Sequence, residues 1–263
     1  MNLPDLNWPG CWGDPPRREG AERTGRAPGI GDVAGFVLPV KERRGLACYT
    51  LLVQRLRLTF AKTAAMKFSG HLDLHKTWER TLRRARLPLA YSEGFNPQPK
   101  IQLAAALPLG FTSACEVVDV WMETAQDLAG MRAALERAAP PGITLIEIEE
   151  APAKSPALQT QVVSAEYRVG VSSPLNPAEM DARIAGLLAA PEIRRTRRER
   201  EYDLRPLIES LAQVESDEPG HTLVMRLAAR EGATGRPEEV VNALGADAAQ
   251  ATFHRTQLIL RGA

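Results

Sequence analysis

Cysteine is nearly missing from this sequence: Cys11, Cys48 and Cys115 are the three in 263 residues, and no short spacing joins any two of them. That pattern supports neither a disulfide framework nor a paired-cysteine metal site, and it fits a reducing cytoplasm. Long apolar runs are missing too. None approaches the roughly 18 residues of a membrane-spanning helix, and the N-terminus lacks the charged-then-apolar layout of an export signal, so neither a membrane nor export is expected. Net charge is almost nil, with 33 Lys or Arg against 32 Asp or Glu. Bulk charge therefore points to no partner, and only local clusters can.

Residues 1–53 hold six Pro and eight Gly and no sustained apolar period. Such a segment cannot bury enough surface to offset its ordering entropy. It is expected to be a disordered segment, or a misassigned extension of a chain whose start lies near Val53. From Gln54 the pattern changes. Residues 55–62 alternate as RLRLTFAK, the signature of a strand with one buried face. A helix of about 70–86 comes next, then an extended stretch to Ala106, a strand over 115–123, an amphipathic helix over 125–138 and a strand over 143–149. Past a Pro-bearing linker the order returns: strand 165–172, helix 177–189, an extended basic stretch 194–202, strand 221–229, a short helix 237–244 with Pro at its first turn, and a closing strand 251–260. Strand, helix, strand, strand, helix, strand is the split βαβ order. The expected fold is α+β: two tandem ferredoxin-like modules with antiparallel sheets, at 54–150 and 164–263, joined by a linker over 151–163 and preceded by the disordered segment.

Charge concentrates at the first helix and the loop after it. Between Gln54 and Lys100 stand ten Lys or Arg against Asp73, Glu79 and Glu93, a local excess of seven. Leu74, Trp78, Leu82 and Ala85 form the helix's packing stripe, which leaves Lys76, Arg80, Arg83 and Arg84 on other faces. Ser69 is the expected N-cap and Pro88 the expected stop. The segment YSEGFNPQPK then offers rings (Tyr91, Phe95), amides (Asn96, Gln98) and a cation (Lys100). Unpaired bases need rings to stack on, amides to read their edges and cations for phosphates; a hairpin connection with both rings turned inward is the plainer alternative. A second basic run, Arg194 to Arg200, brings Arg195 and Arg197 into the candidate set, although basic residues also protect sheet edges.

His71 and His75 stand four apart on one helix face, but no third ligand and no HExxH glutamate accompany them, so no metal is expected. His71 has two other readings: a general base for attack by an RNA 2′-hydroxyl, or a hydrogen-bonded histidine that fixes the strand-to-helix turn. Asp203 and Arg205 in EYDLRPLI are spaced for a common site or for a structural turn.

The run FSGHLDLHKTWERTLRRARLPLAYSEGFNPQPKIQLAAALPLGFTSACEVVDV resembles the radical SAM-associated family of unknown function, a domain often found C-terminal to radical SAM proteins in bacteria. The resemblance covers about 54–260 and is most specific in HLDL, in ERTLRRARLPLAYSEGFNPQPK and in YDLRPLI. It implies a partner radical SAM protein and an RNA target, tRNA or rRNA. No CxxxCxxC is present, so the iron–sulfur cluster and S-adenosylmethionine are expected on that partner and no cofactor in this chain. The module is expected to bind RNA without being an enzyme by itself. Tandem ferredoxin-like modules also resemble CRISPR-repeat-processing endoribonucleases, which implies a metal-independent endoribonuclease using His71 as an alternative; a protein-binding adaptor is another.

Overall fold

A computed structural model describes residues 54–217 and 220–261; the expectation for 1–53 lies outside them. In chain order the elements are β1 (Gln54–Lys62), α1 (His71–Arg84), β2 (Ile101–Leu103), β3 (Thr112–Met122), α2 (Leu128–Ala138), β4 (Ile143–Ala151), α3 (Leu158–Gln161), β5 (Val162–Ser172) and α4 (Pro177–Ala189). Then come β6 (Arg194–Arg197), β7 (Arg200–Asp203), β8 (Ile208–Asp217), β9 (Gly220–Arg230), β10 (Ala233–Thr234), α5 (Pro237–Ala243) and β11 (Thr252–Leu260). The fold is mixed α+β, with a large and mostly antiparallel sheet. No helix among the described residues is long and apolar enough to cross a membrane.

In the first half β4, β1, β3 and β2 lie side by side in that order, every pair antiparallel. In the second, β11, β5, β9 and β8 do the same. The halves join where β11 runs parallel to β3 for two residues, His254 opposite Thr112 and Arg255 opposite Ser113.

Two apolar cores result from this arrangement. Leu56, Leu58 and Phe60 of β1 face Leu74, Trp78 and Leu82 of α1, and Phe60 meets Trp78 edge-to-face at 4.8 Å. The second core gathers β5, β9, α4 and α5 around Val169, Met180, Leu223 and Val240. It reaches across the junction, where Phe111 stacks on Phe253 at 4.5 Å.

Three local expectations are corrected. Gly70, not Ser69, is the N-cap of α1, and Asp73 accepts its N–H at 3.2 Å. The helix ends before Pro88: Arg86 takes φ 58°, and Leu87 and Arg86 donate back to Leu82 and Arg83, a Schellman closure. On the side of β9 away from β5 the sheet continues with β8, which the sequence pattern hid; residues 194–203 form a separate two-stranded hairpin, β6–β7. The cause is register. Shifts at Ile208/Ser210 and Gln213/Glu215 break the two-residue alternation by which a strand is read.

Candidate nucleic-acid interface

The turn into α1 is built on a lysine. Lys62 is buried, and its ammonium donates to the carbonyls of Ser69 at 3.0 Å, Phe111 at 3.3 Å and Lys67 at 3.4 Å. Burial lowers its pKa from the ordinary lysine value, an effect Glu116 opposes. His71 does not fix this turn: its Nδ1 is buried without a hydrogen-bond partner among the described residues. Burial, with His75 adding to it, holds the His71 imidazole below its ordinary pKa, so the ring is neutral at pH 7.

Past that turn α1 buries Leu74, Trp78, Thr81 and Leu82 and leaves Lys76, Arg80, Arg83 and Arg84 exposed. Its C-terminal end meets the loop it feeds. The Arg83 guanidinium stands 6.0 Å from the centre of the Tyr91 ring, within reach of a cation–π contact, while it also pairs with Glu79 at 3.0 Å. The loop is tied at its base by bridges from Leu89 to Met122 and from Tyr91 to Pro99. Ser92 N–H donates to the Gln98 carbonyl at 2.8 Å, and Gln98 N–H donates to Ser92 Oγ at 2.9 Å. Gly94 at φ 127° takes a backbone geometry that side chains resist. Beyond it Phe95 is fully exposed and Tyr91 partly so, not turned into the core. Asn96, Gln98 and Lys100 are exposed as well.

The second basic run stands apart from this surface. Arg195 is half-buried and lies 3.7 Å from Glu239. Arg197 lines a cavity of about 830 Å³ together with Arg198, Arg200, Arg236 and Tyr202. The candidate residues therefore fall into two sets on different elements. Asp203 lines the same cavity, but with Arg205 it holds a turn: Asp203 accepts from the N–H groups of Ile193 at 2.8 Å and Arg205 at 2.9 Å, and the Arg205 guanidinium donates to the Leu188 and Ile208 carbonyls.

Part of the local positive charge is also held inside. Asp119, fully buried, accepts from Arg55 at 2.6 and 2.9 Å and from Arg57 at 2.9 and 3.1 Å. Arg55 reaches on to the carbonyls of Ser155 and Pro156, which ties the linker to the sheet. With Lys62 held as described, three of the ten cations between Gln54 and Lys100 are unavailable to a partner.

Sequence reasoning missed a second buried pair at the junction. Arg255 Nη1 donates to both oxygens of Glu116, at 3.0 and 3.2 Å, and Nη2 donates to the Ala106 carbonyl and the Tyr167 hydroxyl. Burial works against the Arg255 charge, and the Glu116 carboxylate, together with Tyr167 and Cys115, more than offsets it, so the guanidinium sits above its ordinary pKa. The signal was phase: Arg255 falls on the buried side of β11 with Phe253. Beside Glu116, burial pushes the Cys115 thiol up to about 11, so it stays protonated and is no nucleophile at neutral pH.

The family described as "Uncharacterized protein conserved in bacteria (DUF2344)" matches residues 55–237. No curated protein matches the chain. Among solved structures it is similar to a Cbf5–Nop10–Gar1 complex, at 10% identity and a TM-score of 0.45 over 77% of this chain and 48% of that one. An archaeal box H/ACA sRNP Nop10–Cbf5 complex gives 10% identity and 0.41 over 79% and 49%. An H/ACA RNP bound to a substrate RNA containing 2′-deoxyuridine gives 10% and 0.37 over 70% and 43%. The chain thus spans about half the length of these three chains, and at these scores the likenesses carry no argument.

Proposed function

Since this chain belongs to the DUF2344 family of proteins conserved in bacteria, we propose that it is a non-catalytic RNA-binding module that presents its RNA, a tRNA or rRNA, to a partner radical SAM enzyme. One observation carries the RNA reading: an exposed cationic helix face and an exposed aromatic loop meet where Arg83 covers Tyr91. Lys76, Arg80, Arg83 and Arg84 would contact phosphates, Phe95 and Tyr91 would stack on unpaired bases, and Asn96, Gln98 and Lys100 would read edges and backbone. Arg195 and Arg197, on β6, would make separate phosphate contacts. The radical SAM partner rests on the sequence resemblance alone, as does the assignment of iron–sulfur cluster and S-adenosylmethionine to that partner in the cytoplasm. Reading each half as a ferredoxin-like module is supported by its strand order, fourth, first, third, second, with every pair antiparallel.

The test is a salt titration of RNA binding by fluorescence anisotropy. Affinity should fall steeply with salt, and Arg80→Ala with Arg83→Ala should reduce the log–log slope by about one per lost phosphate contact. Phe95→Ala should weaken binding roughly 10-fold and leave the slope unchanged, because stacking releases no counterions. A flat salt response sinks the reading. Binding to acidic protein without binding to RNA would replace it with an adaptor, and RNA cleavage lost in a stably folded His71→Ala variant would replace it with the endoribonuclease.

A further inference from the structure

The hairpin β6–β7 breaks two local rules, and both breaks fall at one cavity. Its two-residue turn, Arg198 and Glu199, takes φ 44° and 63°, the left-handed pair of a type I′ turn, where Asn-Gly or Asp-Gly is usual because other side chains resist that backbone. Next to the turn, Arg197 and Arg200 stand directly opposite each other, and like charges so placed repel. No acid compensates them. The guanidiniums of Arg197, Arg198, Arg200 and Arg236 have no hydrogen bond or ion pair among the described residues, whereas Arg194 pairs with Glu192 at 3.0 Å and Arg195 lies 3.7 Å from Glu239. Folded proteins tolerate such local conflicts chiefly at functional sites.

Register brings these cations together. Residues opposite each other in an antiparallel pair, and residues two apart on one strand, share a face, so Arg195, Arg197, Arg200 and Tyr202 lie on the same side of the hairpin. That side looks toward α5, since Arg195 reaches Glu239 and Arg236 is the residue on which α5 opens. Burial, with Glu239 adding to it, raises the Tyr202 hydroxyl above its ordinary pKa against the charges of Arg236, Arg195 and Arg197, so three guanidiniums stand within electrostatic reach of one ring. The cavity of about 830 Å³ is lined by Arg197, Arg198, Arg200 and Arg236 against one carboxylate, Asp203, whose Oδ1 already accepts two backbone N–H groups. That leaves a surplus of three positive charges, and a ligand can reach them, because Arg197, Arg198 and Arg200 are exposed and Arg236 is half-buried. A neighbouring cleft of about 670 Å³, lined by His71, Tyr167 and Arg255 among others, has no such surplus: Arg230 and Arg236 share its lining with Glu231 and Glu238, and Arg255 is held by Glu116.

The chemistry of the lining selects the ligand. A guanidinium only donates, in a planar fork that matches two oxygens of a phosphate. One carboxylate or one internal phosphodiester brings a single negative charge and leaves most of the surplus unmet, whereas a terminal phosphate brings up to about two and a chain of phosphates brings more. We propose that this cavity is a binding site for a polyanionic phosphoryl group, a terminal phosphate or polyphosphate, held by Arg197, Arg198, Arg200 and Arg236. Its source is either the 5′ end of an RNA strand or the phosphates of a free nucleotide. As an RNA end it deepens the RNA reading and rests on it; as a free nucleotide it stands without the α1 surface.

The experiment titrates the full chain with inorganic phosphate, pyrophosphate, tripolyphosphate and a polyglutamate peptide by calorimetry at constant ionic strength. In parallel it titrates one unstructured RNA bearing a 5′-hydroxyl, a 5′-monophosphate or a 5′-triphosphate by anisotropy. Tripolyphosphate should bind tightest of the four, and Arg197→Gln with Arg200→Gln should weaken it about 10-fold or more. That double variant should melt no lower than wild type, since it removes a like-charge pair. Arg194→Gln, whose guanidinium is paired and off the lining, should stay within about twofold of wild type. Saturable tripolyphosphate binding without preference among the RNA ends identifies the free nucleotide as the source; preference for 5′-triphosphate over 5′-hydroxyl RNA identifies the strand end. Neither response, in protein that melts normally, overturns the proposal. So does polyglutamate binding as tight as tripolyphosphate binding, and so does phosphate binding that Arg197→Gln with Arg200→Gln leaves unchanged. Arg80→Ala with Arg83→Ala should leave tripolyphosphate binding intact, so that failure of the α1 surface reading and failure of this site are told apart.

Discussion

Asp119→Ala should cost about 3–5 kcal/mol of folding stability, the usual penalty for leaving a buried charge without its partner. Asp119 is fully buried and takes four hydrogen bonds from two guanidiniums. Arg55 is itself 1% exposed, so water cannot replace the lost carboxylate. The damage should spread beyond the pair, because the same Arg55 holds Ser155 and Pro156 of the linker. Asp119→Asn should also destabilise, since it presents an N–H group where the arginines need an acceptor. Chemical denaturation checks both against Glu93→Ala on the exposed loop, which should stay within about 0.5 kcal/mol of wild type. A loss of less than about 1 kcal/mol for Asp119→Ala would contradict the role given to this network.

Glu116→Ala should have a comparable effect, about 3–5 kcal/mol, with a distinct diagnostic. Glu116 and Arg255 are 2% and 3% exposed at the side chain, and they lie where β3 and β11 join the halves through two paired residues. Removing the carboxylate strands Arg255 and also takes from Lys62 the charge that opposes its desolvation. Replacing both partners with apolar groups, as Glu116→Leu with Arg255→Met, removes the stranded charge and should recover most of the loss, since such swaps of buried pairs are often neutral or better. A double variant as unstable as Glu116→Ala would show that the pair's contribution lies elsewhere. Denaturant midpoints for the single and double variants decide it.

How legible this protein is in sequence depends on whether a residue's neighbours are local. The helical period of α1, the exposed loop after it and the mixed α+β class are readable from patterns within a dozen residues. Arg55 and Arg57 were misleading for a physical reason. The alternation RLRL predicts one wet face, but helices cover one side of β1 while the linker and Asp119 close over the other. The partners that hold these arginines stand 62 to 104 residues away. β8 was hidden by its register shifts, and its Val214 is left half-exposed, as sheet alternation alone would not predict. His71 could be singled out by type and position, but its cleft could not, because the opposite wall comes from residues 167 and 229–255.

Ultraviolet crosslinking of a bound RNA hairpin to the intact chain, with the crosslinked peptides identified by mass spectrometry, tests the central claim most directly. Exposed rings that stack on unpaired bases are placed to crosslink to them, so the account predicts adducts on the peptide containing Tyr91 and Phe95, lost at high salt and much reduced by Arg80→Ala with Arg83→Ala. Adducts confined to other peptides, or yields on this peptide that do not respond to salt or to those substitutions, would contradict it.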